Sequence, residues 1–402
     1  MILRHRNSQS IFAGLIGAML IFAGCSASEK QSMWPTDSWP TSSAEEQGID
    51  AVAIDSLVND IKDGLYGQID ALMIIRNGYA VINERFDQDY ETLAAEFDTT
   101  SHQYNYYHPN WHPYYEGTDL HSLQSVTKSV MSTALGIAVD KGFLEGANQL
   151  VAPFFERFEP YPTNARRDST RLEDYLTMRS GIEWKTDVSF ASGEHSTNYL
   201  EASQEWVPYV LSQSLDTIPG AVFEYNDGVS VLLGEIVRQA TGVRLDYWAN
   251  EHLFEPIGID DYYWKITPAG EVDAEGGLYL ATEDLARIGY LFLRDGNWNG
   301  TQVVSKEWVQ ESTQTFVTGI PSAPGLSLGY GYQWWKPVWD SHPVQIINGN
   351  GYGGQLLFVV PELDVVVVIN GWNLYGNAEL SIMSAFANII LPAVRPVVSS
   401  SN

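Results

Sequence analysis

Two predicted β-hairpins, one near each end of the chain, constrain the fold most strongly. In Ala71–Phe86, an Asn77-Gly78 pair separates two apolar runs, which is the strongest short-range signal for a hairpin. In Gln355–Ile369, two apolar runs flank a short segment that begins with proline. Most of the chain between the hairpins has a helical or loop-like pattern. We therefore predict an α+β fold. One antiparallel sheet is built from both ends of the chain and flanked by helices, and a mainly helical subdomain is inserted at about residues 145–300.

The first 25 residues have the pattern of an export signal. Arg4 and Arg6 precede an uncharged apolar run, Ile11–Phe22, which is too short for an ordinary membrane span. The run is followed by Ala-Gly-Cys25, and the arrangement resembles a bacterial lipoprotein signal, in which the cysteine becomes the lipidated first residue. We expect residues 1–24 to be removed and Cys25 to anchor the exported protein to the bacterial envelope, facing the periplasm or the exterior. A plain secretory signal with an incidental cysteine is the alternative.

The remainder divides into a predicted tether and a folded domain. Residues 25–48 are rich in Ser, Glu, Pro and Thr with little periodicity, which is typical of a linker. We assign residues 49–398 to the domain. Cys25 is the only cysteine in the sequence, so no disulfide can form within the chain.

The charge of the chain excludes several classes of partner. The formal net charge is -28, and loss of residues 1–24 would leave -30, since that segment holds two arginines and no acids. Such a balance argues against nucleic-acid binding and against docking on anionic lipid through basic patches. We therefore expect contact with a membrane through the lipid on Cys25 alone.

The stretch Leu123–Val130 carries the clearest chemical signal, a serine at 125 with a lysine three residues later. A serine hydroxyl is a weak nucleophile unless a base lies within hydrogen-bond reach. The apolar stripe that follows predicts a helix ending near Lys141-Gly142, and residues three apart share a helix face. Lys128 can therefore stand beside Ser125, although this tetrapeptide is weak evidence alone.

An aromatic segment from Gln88 to Thr118 precedes this helix, with three histidines among its tyrosines and Trp111. The histidines are His102, His108 and His112. The last two are four apart, but prolines after each forbid a regular helix, so we predict neither a metal nor a cofactor. We expect this segment instead to line or cover a pocket near Ser125.

Four landmarks in order resemble the serine β-lactamase-like family, from about residue 50 to 395. They are Ser125-Val-Thr-Lys128, Leu176-Thr-Met-Arg-Ser-Gly-Ile182, Tyr225-Asn226-Asp227 and Gly349-Asn350-Gly351. The family includes class C β-lactamases, penicillin-binding proteins, esterases and 6-aminohexanoate-dimer hydrolases, and the chain looks most similar to the last. The resemblance implies a β-lactamase-like fold and a serine hydrolase.

The resemblance also implies roles for individual residues. Ser125 would attack a carbonyl carbon to form an acyl-enzyme that water hydrolyses. Lys128 and Tyr225 would share the proton transfers, and the sequence leaves open which of them is the base. The backbone N–H groups of Ser125 and Tyr352 would form the oxyanion hole, and Gly353 with Gly354 would let the strand approach the substrate. The residues assigned to substrate and oxyanion contacts are Asp227, Gly351, Tyr352 and Gly353.

Two departures from the family pattern bear on the substrate. Gly349 stands where β-lactamases have a lysine, so the cation for a β-lactam carboxylate is missing. Asp227 stands where an asparagine is usual, and an ionised carboxylate can only accept hydrogen bonds. Asp227 could instead hold Lys128 charged and shift the role of base towards Tyr225. These changes favour hydrolysis of small esters or amides that are neutral or cationic.

Three alternatives remain. The chain could be a β-lactamase or a D-Ala-D-Ala carboxypeptidase, or a catalytically inactive, surface-anchored binding protein. Gly325–Gly329 also matches the Gly-x-Ser-x-Gly elbow of α/β-hydrolases, with Ser327 as its nucleophile. That elbow requires a strand before it and a helix after it, whereas a proline-containing loop and an aromatic, strand-like run are predicted here.

Overall fold

The computed structural model describes residues 33–95, 97–98, 100, 108–158, 164–186, 188, 193–374 and 378–395. The predicted signal peptide, Cys25 and His102 lie outside these ranges. None of the helices in the described part of the chain is long and apolar enough to cross a membrane.

The described chain contains the following strands and helices. The strands are β1 Ile69–Arg76, β2 Tyr79–Arg85, β3 His121–Ser122, β4 Tyr263–Trp264, β5 Leu278–Leu280, β6 Asn297–Trp298, β7 Thr301–Gln302, β8 Val317–Ile320, β9 Leu326–Tyr330, β10 Trp335–Trp339, β11 Ile347–Gly351, β12 Gln355–Val360 and β13 Val365–Gly371. The α-helices are α1 Ala51–Lys62, α2 Tyr90–Ala94, α3 Val126–Asp140, α4 Ala165–Asp168, α5 Leu172–Leu176, α6 Ser196–Ala202, α7 Trp206–Ser212, α8 Asp227–Thr241, α9 Leu245–Ala249, α10 Glu255–Ile257, α11 Thr282–Leu293, α12 Lys306–Ser312, α13 Ile382–Ala385 and α14 Leu391–Ala393.

The central sheet joins the two ends of the chain, as predicted. Its eight strands run in the order β2-β1-β13-β12-β11-β10-β9-β8, and neighbouring strands are antiparallel. Asn77 and Gly78 both have positive φ, 52° and 85°, which is the backbone of a type I′ turn between β1 and β2. The N-terminal hairpin pairs with the C-terminal one where Leu72 lies opposite Ile369. The predicted α+β architecture is therefore confirmed.

Apolar residues on both faces of the sheet are buried. Along β1, Met73 and Ile75 pack into a core with the helices of the middle of the chain, while Leu72 and Ile74 pack into a second core on the other face. Alternation along a strand sends successive side chains to opposite faces, so one fully buried strand serves both cores. Helix α3 lies in the first of these cores, between the sheet and α8, and most of it is buried.

Two expectations about element boundaries need correction. Residues 33–48 do not form a free tether, because Trp39 is buried in the first core and Thr41 pairs with Ala80 of β2. The strand-like aromatic run at residues 329–335 is not one strand: β9 ends at Tyr330, residues 331–334 form a turn in which Gln333 has positive φ, and β10 begins at Trp335. Ser327 lies inside β9, so the α/β-hydrolase elbow is absent at this position.

Candidate active site

Ser125 stands at the N-terminal end of α3, where the chain enters the helix from a strained turn. Gln124 immediately before it has φ of 47°, a left-handed backbone conformation that is costly for a residue with a side chain. The Ser125 hydroxyl does not cap the helix, and the residue is only partly buried at the floor of a cavity of about 410 Å³. The Lys128 Nζ lies one helical turn on, 2.9 Å from the Ser125 Oγ. The predicted pair is therefore in hydrogen-bond contact.

Lys128 is almost fully enclosed, with 1% of its surface exposed. Its Nζ lies 2.6 Å from the carbonyl oxygen of Glu275, 2.8 Å from Asp227 Oδ1 and 3.4 Å from Glu275 Oε2. Burial alone would lower the pKa of Lys128, but the negative charges of Asp227 and Glu275, with Tyr225, raise that pKa well above its usual value. In the resting site Lys128 is an ammonium, which donates hydrogen bonds and cannot yet accept the serine proton.

Tyr225 completes the predicted catalytic set. Its ring stacks on Trp335 with centroids 5.7 Å apart, and the Lys128 Nζ lies 5.2 Å from the ring centroid. Burial raises the pKa of the Tyr225 phenol, an effect opposed by the Lys128 charge and by hydrogen bonds with Ser125 and Lys128. The tyrosine therefore rests in its neutral form.

Asp227 occupies the first turn of α8, directly after the capping residue Asn226. Besides Lys128, it accepts a hydrogen bond from the Thr197 hydroxyl, 2.5 Å from Oδ2. Both oxygens thus act as acceptors, as a carboxylate requires. The Asp227 carboxylate therefore forms an ion pair with Lys128, as the sequence suggested.

Strand β11 and the turn after it form one wall of the Ser125 cavity, which Gly351, Tyr352 and Gly353 line. A Cβ on Gly351 would lie 2.4 Å from the Leu123 carbonyl oxygen, so only glycine permits this approach to the turn before Ser125. Gly353 and Gly354 have φ of 81° and 99°, and they serve the turn between β11 and β12. That Gly353 and Gly354 allow close approach to a substrate stays a prediction, while Gly351 allows close contact with the turn before Ser125.

Glycine at position 349 is also favoured by packing. A Cβ there would lie 2.9 Å from Val126 Cγ1 at the start of α3, so β11 packs against the helix through this glycine. A side chain at 349 would require Val126 to shift, so glycine suits the close packing of β11 against α3.

A cluster of three buried or half-buried carboxylates next to Lys128 was not predicted. Carboxylate oxygens of Glu201, Asp273 and Glu275 all lie within 4.8 Å of one another. Burial raises the pKa of Glu275 to about 8, together with the charges of Asp227 and Asp273 and against the opposing effect of Lys128. Burial and the neighbouring carboxylates also raise the pKa of Glu201 well above its usual value. Lys128 on one side and Lys265 on the other supply positive charge to this cluster.

The aromatic segment lines a second cavity of about 670 Å³ on the far side of this cluster. Trp111 and Tyr115 contribute to its wall with Glu201 and Asp273, and the Lys265 Nζ lies 3.8 Å from the Trp111 ring centroid. The expectation of a pocket lined by this segment holds for the described residues, but Ser125 lines the smaller cavity. The Nδ1 atoms of His108 and His112 accept backbone N–H groups two residues on, in local turns.

His195 and Trp335 are further wall residues that sequence reasoning missed. His195 lies before α6, caps it by accepting the Thr197 N–H on Nδ1, and its pKa is lowered by burial. Its position beside Asp227 depends on the packing of α6 against α8, which no local pattern reveals. For Trp335, the aromatic run at residues 330–335 could have indicated a wall of the cavity, but it was interpreted only as a strand.

Comparison with known proteins places these features in a family. Residues 102–380 match the family model described as Beta-lactamase. Over 274 residues the chain is 25% identical to the 6-aminohexanoate-dimer hydrolase of Paenarthrobacter ureafaciens, covering 63% of this chain and 67% of the relative. A Bacillus anthracis structure provisionally named 6-aminohexanoate-dimer hydrolase superposes with a TM-score of 0.67 at 17% identity, covering 90% of this chain and 89% of that one. A family VIII carboxylesterase structure gives 0.61 at 16% identity, covering 88% and 98%.

Proposed function

Because this chain belongs to the Beta-lactamase family and is a hydrolase of the serine β-lactamase-like superfamily, we propose that Ser125 is its nucleophile and forms an acyl-enzyme. The observation that carries this proposal is the 2.9 Å contact between Lys128 Nζ and Ser125 Oγ at the floor of a cavity. Tyr225 lies beside both and is the second group through which protons move. The N–H groups of Ser125 and Tyr352 are the proposed oxyanion donors, since both residues line that cavity.

The proposed substrates are small esters or amides without a negative charge near the scissile bond. Asp227 and Glu275 both line the Ser125 cavity, and Gly349 has no side chain that could receive a β-lactam carboxylate. A relative of 25% identity is named 6-aminohexanoate-dimer hydrolase. We therefore favour esterase or amidase activity over the alternatives, a β-lactamase or a D-Ala-D-Ala carboxypeptidase.

A panel of substrates tests this choice. We expect the purified domain to hydrolyse short-chain p-nitrophenyl esters, and amide dimers with a free amino terminus, and to turn over nitrocefin negligibly. Without a lysine at position 349, a β-lactam carboxylate lacks one charge-assisted hydrogen bond. Such a bond contributes roughly 1.5–3 kcal/mol, which is about 10- to 150-fold in binding. Rates of all substrates are measured side by side, with D-Ala-D-Ala peptides included. Efficient nitrocefin hydrolysis, or stable acylation by penicillin, would reject the proposed substrate class.

A fluorophosphonate probe separates the enzyme from an inactive binding protein of the same fold. Labelling that maps to Ser125 supports the hydrolase. A folded protein that resists labelling supports the binding protein.

We also propose that the protein is exported and held at the envelope by a lipid on Cys25, as the sequence around that residue suggests. The protein produced in a bacterial host is then expected to partition into the detergent phase, and Cys25→Ser to release it or stall its processing. Phase partitioning followed by immunoblotting measures this. If both forms stay fully in the aqueous phase, the anchor does not exist.

A further inference from the structure

We propose that Glu275, which lies in a cluster with Glu201 and Asp273, is the proton acceptor that lets Lys128 act as the general base for Ser125. The inference deepens the proposed function and rests on Ser125 being the nucleophile. It begins from a difficulty in the resting site. Lys128 is held as an ammonium and Tyr225 as a neutral phenol, so neither can accept the hydroxyl proton of Ser125.

Glu275 reaches Lys128 in two ways. Its carbonyl oxygen fixes the Lys128 Nζ at 2.6 Å, and its carboxylate Oε2 lies 3.4 Å from the same atom. An ammonium has three N–H bonds and here four acceptors surround it, and the contact with Glu275 Oε2 is the longest of the four. Rotation of the ammonium and a small side-chain movement of Glu275 would turn one N–H bond towards Oε2 without movement of the backbone.

Asp227 lies closer to Lys128 but is a poorer acceptor of its proton. It accepts a hydrogen bond from Thr197 and occupies the first turn of α8, where the helix dipole favours a negative charge. The surroundings of Glu275 disfavour a negative charge, since the carboxyl groups of Glu201 and Asp273 lie within 4.8 Å. Crowded like charges favour the neutral form of one member. Burial, with the charges of Asp227 and Asp273, raises the pKa of Glu275 to about 8 against the opposing effect of Lys128, which places its titration within reach of the working pH.

The groups facing this cluster come from each element packed around it. They are Lys128 from α3, Tyr225 and Asp227 at the start of α8, Glu201 from α6, Asp273 before β5, and Lys265 after β4. His195 faces Asp227 from the start of α6. Among them, Asp273 brings negative charge to Glu275 and has no hydrogen bond to Ser125 in the described structure.

The step balances as follows. Lys128 passes one proton to the Glu275 carboxylate and becomes a neutral amine. As Ser125 Oγ bonds to the carbonyl carbon, its proton moves to the Lys128 amine, which is again an ammonium. When the intermediate collapses, Lys128 gives a proton to the leaving group and takes back the proton held by Glu275. The serine proton has left with the departing alcohol or amine, and both charges are restored.

The test follows the nucleophilicity of Ser125 without depending on a substrate. The second-order rate of fluorophosphonate labelling is measured by intact mass between pH 5.5 and 9.5. In the wild-type protein we expect the rate to rise through about pH 8, because only ionised Glu275 can accept the proton. Glu275→Gln should lower the rate at pH 9 by about 10²-fold and abolish this rise. Glu251→Gln, an exposed glutamate, is the matched control and should leave the profile as in wild type.

Asp273→Asn supplies a second, independent readout. Removing the negative charge of Asp273, which raises the pKa of Glu275, should move the rise to lower pH, and a purely structural role for the cluster would not do this. A rise that stays in place in both Glu275→Gln and Asp273→Asn, with both variants folded by circular dichroism, would overturn the proposal and leave Tyr225 as the base. If the wild-type protein is not labelled at any pH, the proposed function itself fails.

Discussion

Replacing Ser125 by alanine should lower kcat for the best ester of the panel by at least about 10³-fold, with the fold unchanged. The side chain removed is small and only partly buried, and its hydroxyl does not cap α3, so the helix keeps its start. What is lost is the atom that forms the acyl bond. Activity is measured with purified protein, and folding by thermal unfolding monitored by circular dichroism.

Ser327→Ala is the matched control for this experiment. Ser327 is an exposed serine of strand β9 and the nucleophile of the rejected α/β-hydrolase hypothesis. We expect its replacement to leave activity intact. The double variant Ser125→Ala/Lys128→Ala should be little worse than either single variant, because the two residues act as one unit. Turnover near wild type in Ser125→Ala would refute the mechanism.

The parts of this protein that the sequence predicted are those with local signals. Asn77-Gly78 demands a left-handed turn wherever it occurs, so the first hairpin was predictable without knowledge of its partners. The spacing of Ser125 and Lys128 fixes their contact through the geometry of one helix. The membership of the family followed from four such local patterns in order, and the comparisons confirm it.

What the sequence missed depends on long-range packing. Glu275 is 147 residues from Lys128, and Glu201 comes from a third segment, so no spacing rule could bring the carboxylates together. The same applies to Gly349, whose absent side chain was interpreted as a missing cation before its contact with Val126 was known. Trp39 is different, because a tryptophan in a supposed tether was a usable signal of packing.

The structure shows that Lys128 also bears on the stability of the fold. Lys128→Met should abolish activity and also lower the free energy of unfolding at neutral pH by about 3–5 kcal/mol. The ammonium lies between the buried carboxylates Asp227 and Glu275, and the methionine would leave them without their counter-charge. Urea unfolding measures the loss.

A second buried lysine separates this ion-pair effect from the general cost of replacing a buried lysine. Lys336 is also buried, in strand β10, but burial alone lowers its pKa to about 8, with no carboxylate raising it. Lys336→Met should therefore change the free energy of unfolding by no more than about 1 kcal/mol. Equal losses in the two variants would show that the ion pair of Lys128 contributes nothing.

The stability loss of Lys128→Met should depend on pH in a defined direction. Without the ammonium, burial and mutual repulsion favour the protonated carboxyls in the folded protein more than in the unfolded chain. The folded variant then binds more protons than the unfolded one, so its stability falls as pH rises and recovers as pH falls. We expect the difference from wild type to be smaller at pH 7 than at pH 9.5, because Glu275, whose pKa beside Lys128 is about 8, ionises next to the ammonium in wild type and has no counter-charge in the variant. A deficit that is constant across this range would mean that Lys128 stabilises the fold through packing and not through its charge.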